Sequence, residues 1–172
     1  MTTPEEFRRI MGRFASGVAV VTTAGGGRSH GMTATSFTSL SLDPLLVLVC
    51  VQRSARFHDL VMETKVFAVT VLAENQAHLS AAFASREATG WAKFDQCSWY
   101  PGPVSKAPVL NGGLAFLDCV VTDCHVGGDH SIIVGRVDEL GVLNEAGTPL
   151  LWFEGTYRGL ARNAPILSAR RP

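Results

Sequence analysis

Three short stretches carry residue types that could do chemistry. The first is Gly31-Met32-Thr33-Ala34-Thr35-Ser36-Phe37-Thr38-Ser39-Leu40-Ser41, a polar run enclosed by apolar strands, with six hydroxyls within nine residues. Small residues let a flat ligand approach the main chain, and hydroxyls with backbone N–H groups can bind carbonyl and ring-nitrogen acceptors. A Ser/Thr-rich edge strand would show the same composition. The second is Gln52-Arg53-Ser54-Ala55-Arg56, at a strand-to-helix junction. Main-chain donors, a hydroxyl and two guanidinium groups at a helix start suit a phosphate. A capped helix with solvated arginines reads the same way. The third is Gly127-Gly128-Asp129-His130 between two long strand patterns, which alone is an ordinary hairpin turn.

Other chemistries find less support. His30, His58, His78, His125 and His130 show no metal-ligand spacing, so no metal is expected. There is no G-x-S-x-G elbow. Gly25-Gly26-Gly27 is not followed by GKS or GKT and opens no strand–GxGxxG–helix unit, so a hairpin turn is expected there. Cys50, Cys97, Cys119 and Cys124 form no C-x-x-C pair. Cys119 and Cys124 on one strand would face opposite sides and could not bridge. Reduced thiols used as small apolar residues are expected.

The elements that must position these stretches follow from periodicity. Thr3 to Phe14 reads as a helix ended by Gly17. Thr3 and Glu6 fit a capping box, Pro4 stands at the first helical position, and Phe7, Ile10, Met11 and Phe14 form one stripe. Val18–Thr23 and Arg28–Ser36 form a hairpin. Strands follow at 45–51 and 66–72. Ser54 is expected to cap a helix through Glu63, and Asn75 another through Ala84, with Ala77, Ala81 and Ala84 as packing positions. Residues 85–109 read as a long loop. Strands at 114–125, 131–140 and 150–154 complete the order. Without regular βαβ alternation, the pattern favours an antiparallel barrel with a few helices, mainly β. One domain is expected over residues 1–162, with a loose tail at 163–172.

The chain has 172 residues, 47% hydrophobic and 17% charged, with fifteen basic and fifteen acidic residues. Low charge argues against disorder, and balanced charge disfavours nucleic acid as the main ligand. A lightly charged neutral surface also leaves a monomer short of colloidal protection, pointing to apolar surface covered by a partner. The longest apolar run, Leu45–Val51, is too short to span a bilayer. The acidic N-terminus shows no signal peptide, so a cytoplasmic location is expected.

Together these stretches resemble the flavin reductase-like family with the FMN-binding split-barrel fold, which includes reductase components of two-component flavin monooxygenases. The matching pieces are Phe14–Thr22, Gly31–Ser41, Asp43-Pro44-Leu45, Phe67–Leu72, Gly128-Asp129-His130 through Gly135, and Pro149–Phe153 followed by Gly155 and Tyr157. The resemblance spans about residues 5–160. Two departures stand out: Leu45 replaces the second of two prolines found in many relatives, and Arg53-Ser54-Ala55 has fewer hydroxyls than some.

The resemblance implies an antiparallel Greek-key split barrel, a homodimer with flavin near the subunit interface, and reduction of FMN or FAD by NADH or NADPH. Hydride would pass from nicotinamide C4 to flavin N5, and reduced flavin would serve a separate monooxygenase. It places Thr33, Ala34, Thr35 and Ser36 along the isoalloxazine ring. Ser39 and the segment Gln52, Arg53, Ser54, Ala55 fall at the ribityl phosphate, with Arg86 a further phosphate candidate. His130 faces the nicotinamide as an orienting hydrogen-bond donor, with Tyr157 and Arg158 near it. A pyridoxamine-phosphate-oxidase-like flavoenzyme and a non-catalytic flavin-binding protein are the alternatives.

Overall fold

The computed structural model describes residues 2–160. The expected domain end at residue 162 and tail at 163–172 lie outside the described residues.

Helix α1 covers Pro4–Met11 and starts as anticipated. Glu6 N–H donates to Thr3 Oγ1 at 3.2 Å, and Thr3 N–H donates back to Glu6 Oε2 at 3.0 Å. The helix stops earlier than expected, at Gly12 rather than Gly17. After Gly12 the bonds shorten to three-residue turns, Arg13 N–H to Ile10 and Phe14 N–H to Met11, while the Gly12 carbonyl accepts from Glu154 N–H.

The strands are β1 Ser16–Gly17, β2 Ala19–Gly25, β3 Arg28–Ala34, β4 Phe37–Leu42 and β5 Leu45–Gln52. After α2 (Arg56–Thr64) comes β6 (Val66–Val71), then α3 (Ala77–Ala84), entered through a 3-10 turn. Next are β7 Trp99–Pro101, β8 Pro108–Leu110, β9 Ala115–Gly127, β10 His130–Val142, β11 Leu151–Phe153 and β12 Thr156–Arg158. The stretch expected as one long loop therefore contains a 3-10 turn at Gly90–Phe94 and the β7–β8 hairpin, and β1 and β12 were not anticipated. Neither expected cap forms. Ala55 takes the N-cap of α2, without a side-chain bond, because Ala55 N–H turns back to Gln52 O. Asn75 lies inside the 3-10 turn, where Gln76 Oε1 accepts from Ala73 N–H. Ala81 and Ala84 are exposed; α3 packs through Leu79, Ser80 and Phe83.

Every ladder is antiparallel. The main sheet runs β3-β2-β6-β9-β10-β5-β4. Its two edges, β3 and β4, are consecutive in the chain and joined only by Thr35 and Ser36. A link that short spans about 10 Å, so the sheet curls until its edges meet at that corner. This is the expected antiparallel barrel, split beyond the corner.

The core follows from alternation on β2. Ala19 and Val21 join Val47, Val49, Val51, Phe67 and Ile133 inside the barrel. Val18 and Val20 face the other way, onto Leu72, Leu79, Phe83 and Leu150. A strand buried on both faces explains its continuous apolar sequence. The α1 stripe packs against neither cluster: Phe7 is 66% exposed and Phe14 73%.

Candidate functional site

A cleft of about 570 Å³ opens where the barrel edges meet. One wall is β3 from His30 to Ala34 with the corner residues Thr35 and Ser36. Beside it lie Cys50 and Gln52 at the end of β5, then Ser54, Ala55, Arg56 and Phe57 at the start of α2. The segment after α3 contributes Ser85, Arg86, Ala88, Thr89 and Lys93, and His130 closes the remaining side.

The topology brings these together for identifiable reasons. His130 stands opposite Gln52 in the β10–β5 ladder. Arg53 N–H donates to Asp129 O at 3.0 Å, fastening the Gly-Asp-His turn to the loop before α2. Gly128, at φ +67°, makes that tight turn possible. With no side-chain cap on α2, its first N–H groups lack helical partners and its positive dipole end faces the cleft. Gly31 is required by close approach, since a Cβ there would sit 2.6 Å from the Phe83 ring.

Much of the hydroxyl-rich run is already bonded to main chain. Thr33 Oγ1 donates to Ser80 O at 2.6 Å, and Ser36 Oγ donates to Cys50 O at 3.0 Å. Ser41 Oγ accepts from Asp43 N–H. β4 is the edge strand that the composition also allowed, while Thr33, Ala34, Thr35 and Ser36 at the β3 end and corner line the cleft.

No carboxylate lines the cleft, although Arg56, Arg86, Lys93, His30 and His130 do. In a chain of balanced charge this is a local positive field. His30 Nδ1 lies 2.9 Å from Gly31 O. Burial pushes the His30 pKa below its ordinary 6.5, and the charges of Lys93 and Arg56 push the same way, partly offset by the Gly31 bond. The His130 Nδ1–Asp129 Oδ1 distance is 2.7 Å. That hydrogen bond holds the Asp129 carboxyl below the usual carboxylate range. Nδ1–H donates to the carboxylate, which leaves Nε2 as the ring nitrogen outside that bond.

Of the residues singled out from sequence, Thr33, Ala34, Thr35, Ser36, Gln52, Ser54, Ala55, Arg86 and His130 line the cleft. Ser39, Arg53, Tyr157 and Arg158 do not. Ser39 lies along the edge strand β4 beyond the corner. The Arg53 side chain is exposed, and only its N–H is engaged, away from the cleft. Tyr157 packs on Trp152, and its hydroxyl donates to Ser80 Oγ at 2.9 Å. Arg158 is exposed on β12 opposite Leu151. His30, Phe83 and Lys93 were missed. Gly31 next to His30 was the one local signal for that residue; Lys93 sits in the stretch read as loop and had none.

Among the described residues, no group of three or more His, Cys, Asp or Glu is placed to hold a metal. All four cysteines are free; burial pushes the Cys119 thiol up, and Cys124 is exposed on the same strand.

Comparison with known proteins follows the same line. A reductase subunit of a flavin-dependent monooxygenase from Rhodococcus jostii is 38% identical over 157 residues, covering 91% of this chain and 78% of that one. The reductase component of 4-hydroxyphenylacetate 3-monooxygenase from Thermus thermophilus is 40% identical, covering 91% and 96%. The solved NADH:FAD oxidoreductase of Streptomyces globisporus, in complex with NAD and FAD fragments, superposes with a TM-score of 0.89 at 36% identity, covering 96% of this chain and 99% of that one. Residues 11–161 match the flavin reductase like domain. The cleft at the seam of a split antiparallel barrel is thus set in a member of the flavin reductase-like family, to which this chain belongs.

Proposed function

We propose that this chain is an NAD(P)H:flavin oxidoreductase that takes FMN or FAD into the seam cleft and supplies reduced flavin to a separate flavin-dependent monooxygenase. The observation that carries the reading is the acid-free cleft, lined by three cations, an uncapped helix start and small residues along β3. That donor set fits a flat ring bearing a phosphate.

When bound, the flavin supplies the two-electron acceptor for a hydride from the nicotinamide. The protein has to hold rings and phosphates. Gly31, Ala34 and the corner Thr35–Ser36 leave the main chain open to the ring. Ser54, Ala55 and Arg86, with the first N–H groups of α2, hold the phosphate end, with Gln52 beside them. His130, its Nδ1–H fixed by Asp129, orients the nicotinamide carboxamide through a hydrogen bond at Nε2. Charge developing on the flavin is met by Lys93 and Arg56.

The same reading includes a homodimer. Exposed Phe7, Ile10, Met11 and Phe14 would be covered by the second copy, and Phe14 also lines an apolar groove that shares Thr35, Ser36 and Cys50 with the cleft. Four free cysteines suit a cytoplasmic setting. No helix among the described residues is long and apolar enough to cross a membrane.

The test is direct. Protein, NADH or NADPH, and excess FMN or FAD are mixed in the four pairings, and nicotinamide absorbance is followed. Flavin-dependent loss of the nicotinamide band is expected. Bound flavin without nicotinamide oxidation would overturn the proposal in favour of a binding protein.

A further inference from the structure

His130 stands at the tip of a hairpin that is held from one side. β6 supports β9 only as far as Val120 and Val121. From Thr122 to Gly127 the strand is exposed, and no strand lies on its outer side among the described residues. Whatever fixes His130 in the cleft must come from β5 and the start of α2. Three ties do so. His130 stands opposite Gln52 in the ladder. Arg53 N–H donates to Asp129 O at 3.0 Å. His58 Nε2 lies 2.9 Å from Ser131 Oγ. The first two involve main chain alone. The third is made by two side chains, so substitution can cut it.

A ladder that ends at Gln52 fixes register, but a strand end still twists about its own axis. Successive strand residues face opposite sides, so Ser131 and His130 are two handles on one strand end. Ser131 is buried toward α2, while His130 lines the cleft. Holding Ser131 sets the roll of the strand, and with it the place of the imidazole. The Asp129 bond does less. The Asp129 side chain is 82% exposed, so water competes for it, and it belongs to the same turn as His130. The His58 side chain is 16% exposed, and its bond reaches a different element. The helix depends on this bond less than the strand does. His58 N–H donates to Ala55 O at 2.9 Å and Ala55 N–H to Gln52 O at 3.0 Å, so main chain closes the first turn of α2. Cutting the side-chain bond frees the strand end and leaves the helix start in place.

We infer that His58 and Ser131 are positioning residues for the nicotinamide step: their bond holds the end of β10 at the tilt where the His130 imidazole meets the carboxamide. This rests on the reading that His130 orients the nicotinamide. Neither His58 nor Ser131 lines the cleft, so their effect on the reaction passes through His130.

Steady-state kinetics with flavin saturating are measured on the wild type, Ser131→Ala, His58→Leu and His58→Gln, and on the first two substitutions each combined with His130→Ala. FMN dissociation constants are measured by calorimetry on the same proteins. Assays run well below each unfolding transition, and His58→Leu carries the test if Ser131→Ala fails to fold. The glutamine amide keeps a polar partner for Ser131 near the place of Nε2. The NADH Michaelis constant should rise about 2- to 5-fold in Ser131→Ala and His58→Leu, with turnover and FMN binding within about twofold of wild type. His58→Gln should stay near wild type. In the His130→Ala background neither substitution should raise the constant further, whereas general damage to the fold would add to the loss. The inference is overturned if both cut variants keep the wild-type constant, if the rise persists at full size without His130, if FMN binding weakens by the same factor, or if His58→Gln is as impaired as His58→Leu. His130→Ala alone tests the underlying reading. No change there removes His130 from the site; a rise there with none in Ser131→Ala and His58→Leu overturns the positioning role only.

Discussion

His58 Nε2 lies 2.9 Å from Ser131 Oγ, and this bond joins the first turn of α2 to the residue that follows His130. Ser131 is 2% exposed, so its hydroxyl has no water to replace this partner. Ser131→Ala should destabilise the fold by about 1–3 kcal/mol, the cost of an unpaired buried polar group. In a double-mutant cycle with His58→Phe, the double variant should lose clearly less than the two singles together. Denaturant unfolding of the four proteins measures this, and strict additivity would show that the bond is idle.

His130→Ala should raise the NADH Michaelis constant about 2- to 10-fold, the worth of one hydrogen bond. Asp129→Asn should act in the same direction but less, because it loosens the imidazole without removing it. Steady-state kinetics with flavin saturating is the check. Unchanged Michaelis constant and turnover in His130→Ala would remove His130 from the site.

Gly31→Ala forces a Cβ to 2.6 Å from the Phe83 ring, a buried side chain with little room to yield. A cost of about 1–3 kcal/mol is expected, together with weaker flavin binding, since the displaced ring also lines the cleft. Gly17→Ala, where nothing lies within 4 Å of the new carbon, is the control. Urea midpoints of the two variants should separate clearly.

The His30 pKa is lowered on folding, chiefly by burial. Below about pH 6.5 the unfolded chain takes up a proton that the folded chain resists, so the unfolded state gains. Stability linked to His30 is therefore intact above that pH and is lost as pH falls toward the lowered folded value. His30→Asn should flatten this part of the stability curve between pH 7 and the acid limb. Parallel curves for wild type and variant would contradict the assignment.

Phe7→Glu and Phe14→Glu should leave the protomer folded, because both side chains are exposed in the single chain. They should split the proposed dimer into 18.4 kDa species by light scattering. Activity should fall with dissociation, since Phe14 borders the groove beside Thr35–Ser36. Wild type that is itself monomeric and fully active at nanomolar concentration would refute the dimer.

What sequence reveals depends on how local the cause is. The capping box of α1 was legible because Thr3 and Glu6 need only each other. Strands β2, β3, β5, β6, β9, β10 and β11 were legible because alternation and turn residues are short-range. The end of α1 was not, since the Gly12 carbonyl is drawn off by Glu154, far along the chain. Tyr157 illustrates the same limit: its motif position suggested the site, while the structure turns its hydroxyl toward Ser80. Lys93 was invisible because its burial comes from the end of α3 folding over it.

The acid-free cleft also bears on how fast a ligand arrives. Setting Arg56, Arg86 and Lys93 apart from the fifteen basic residues leaves twelve against fifteen acidic ones on the rest of the chain. An anion nearing the cleft meets a locally positive opening on a chain whose other residues carry a slight excess of acid. Association is steered rather than random, and its rate constant should fall as salt screens the field over about 10 Å. A protein with no net charge thereby acts as a directional trap for negatively charged ligands.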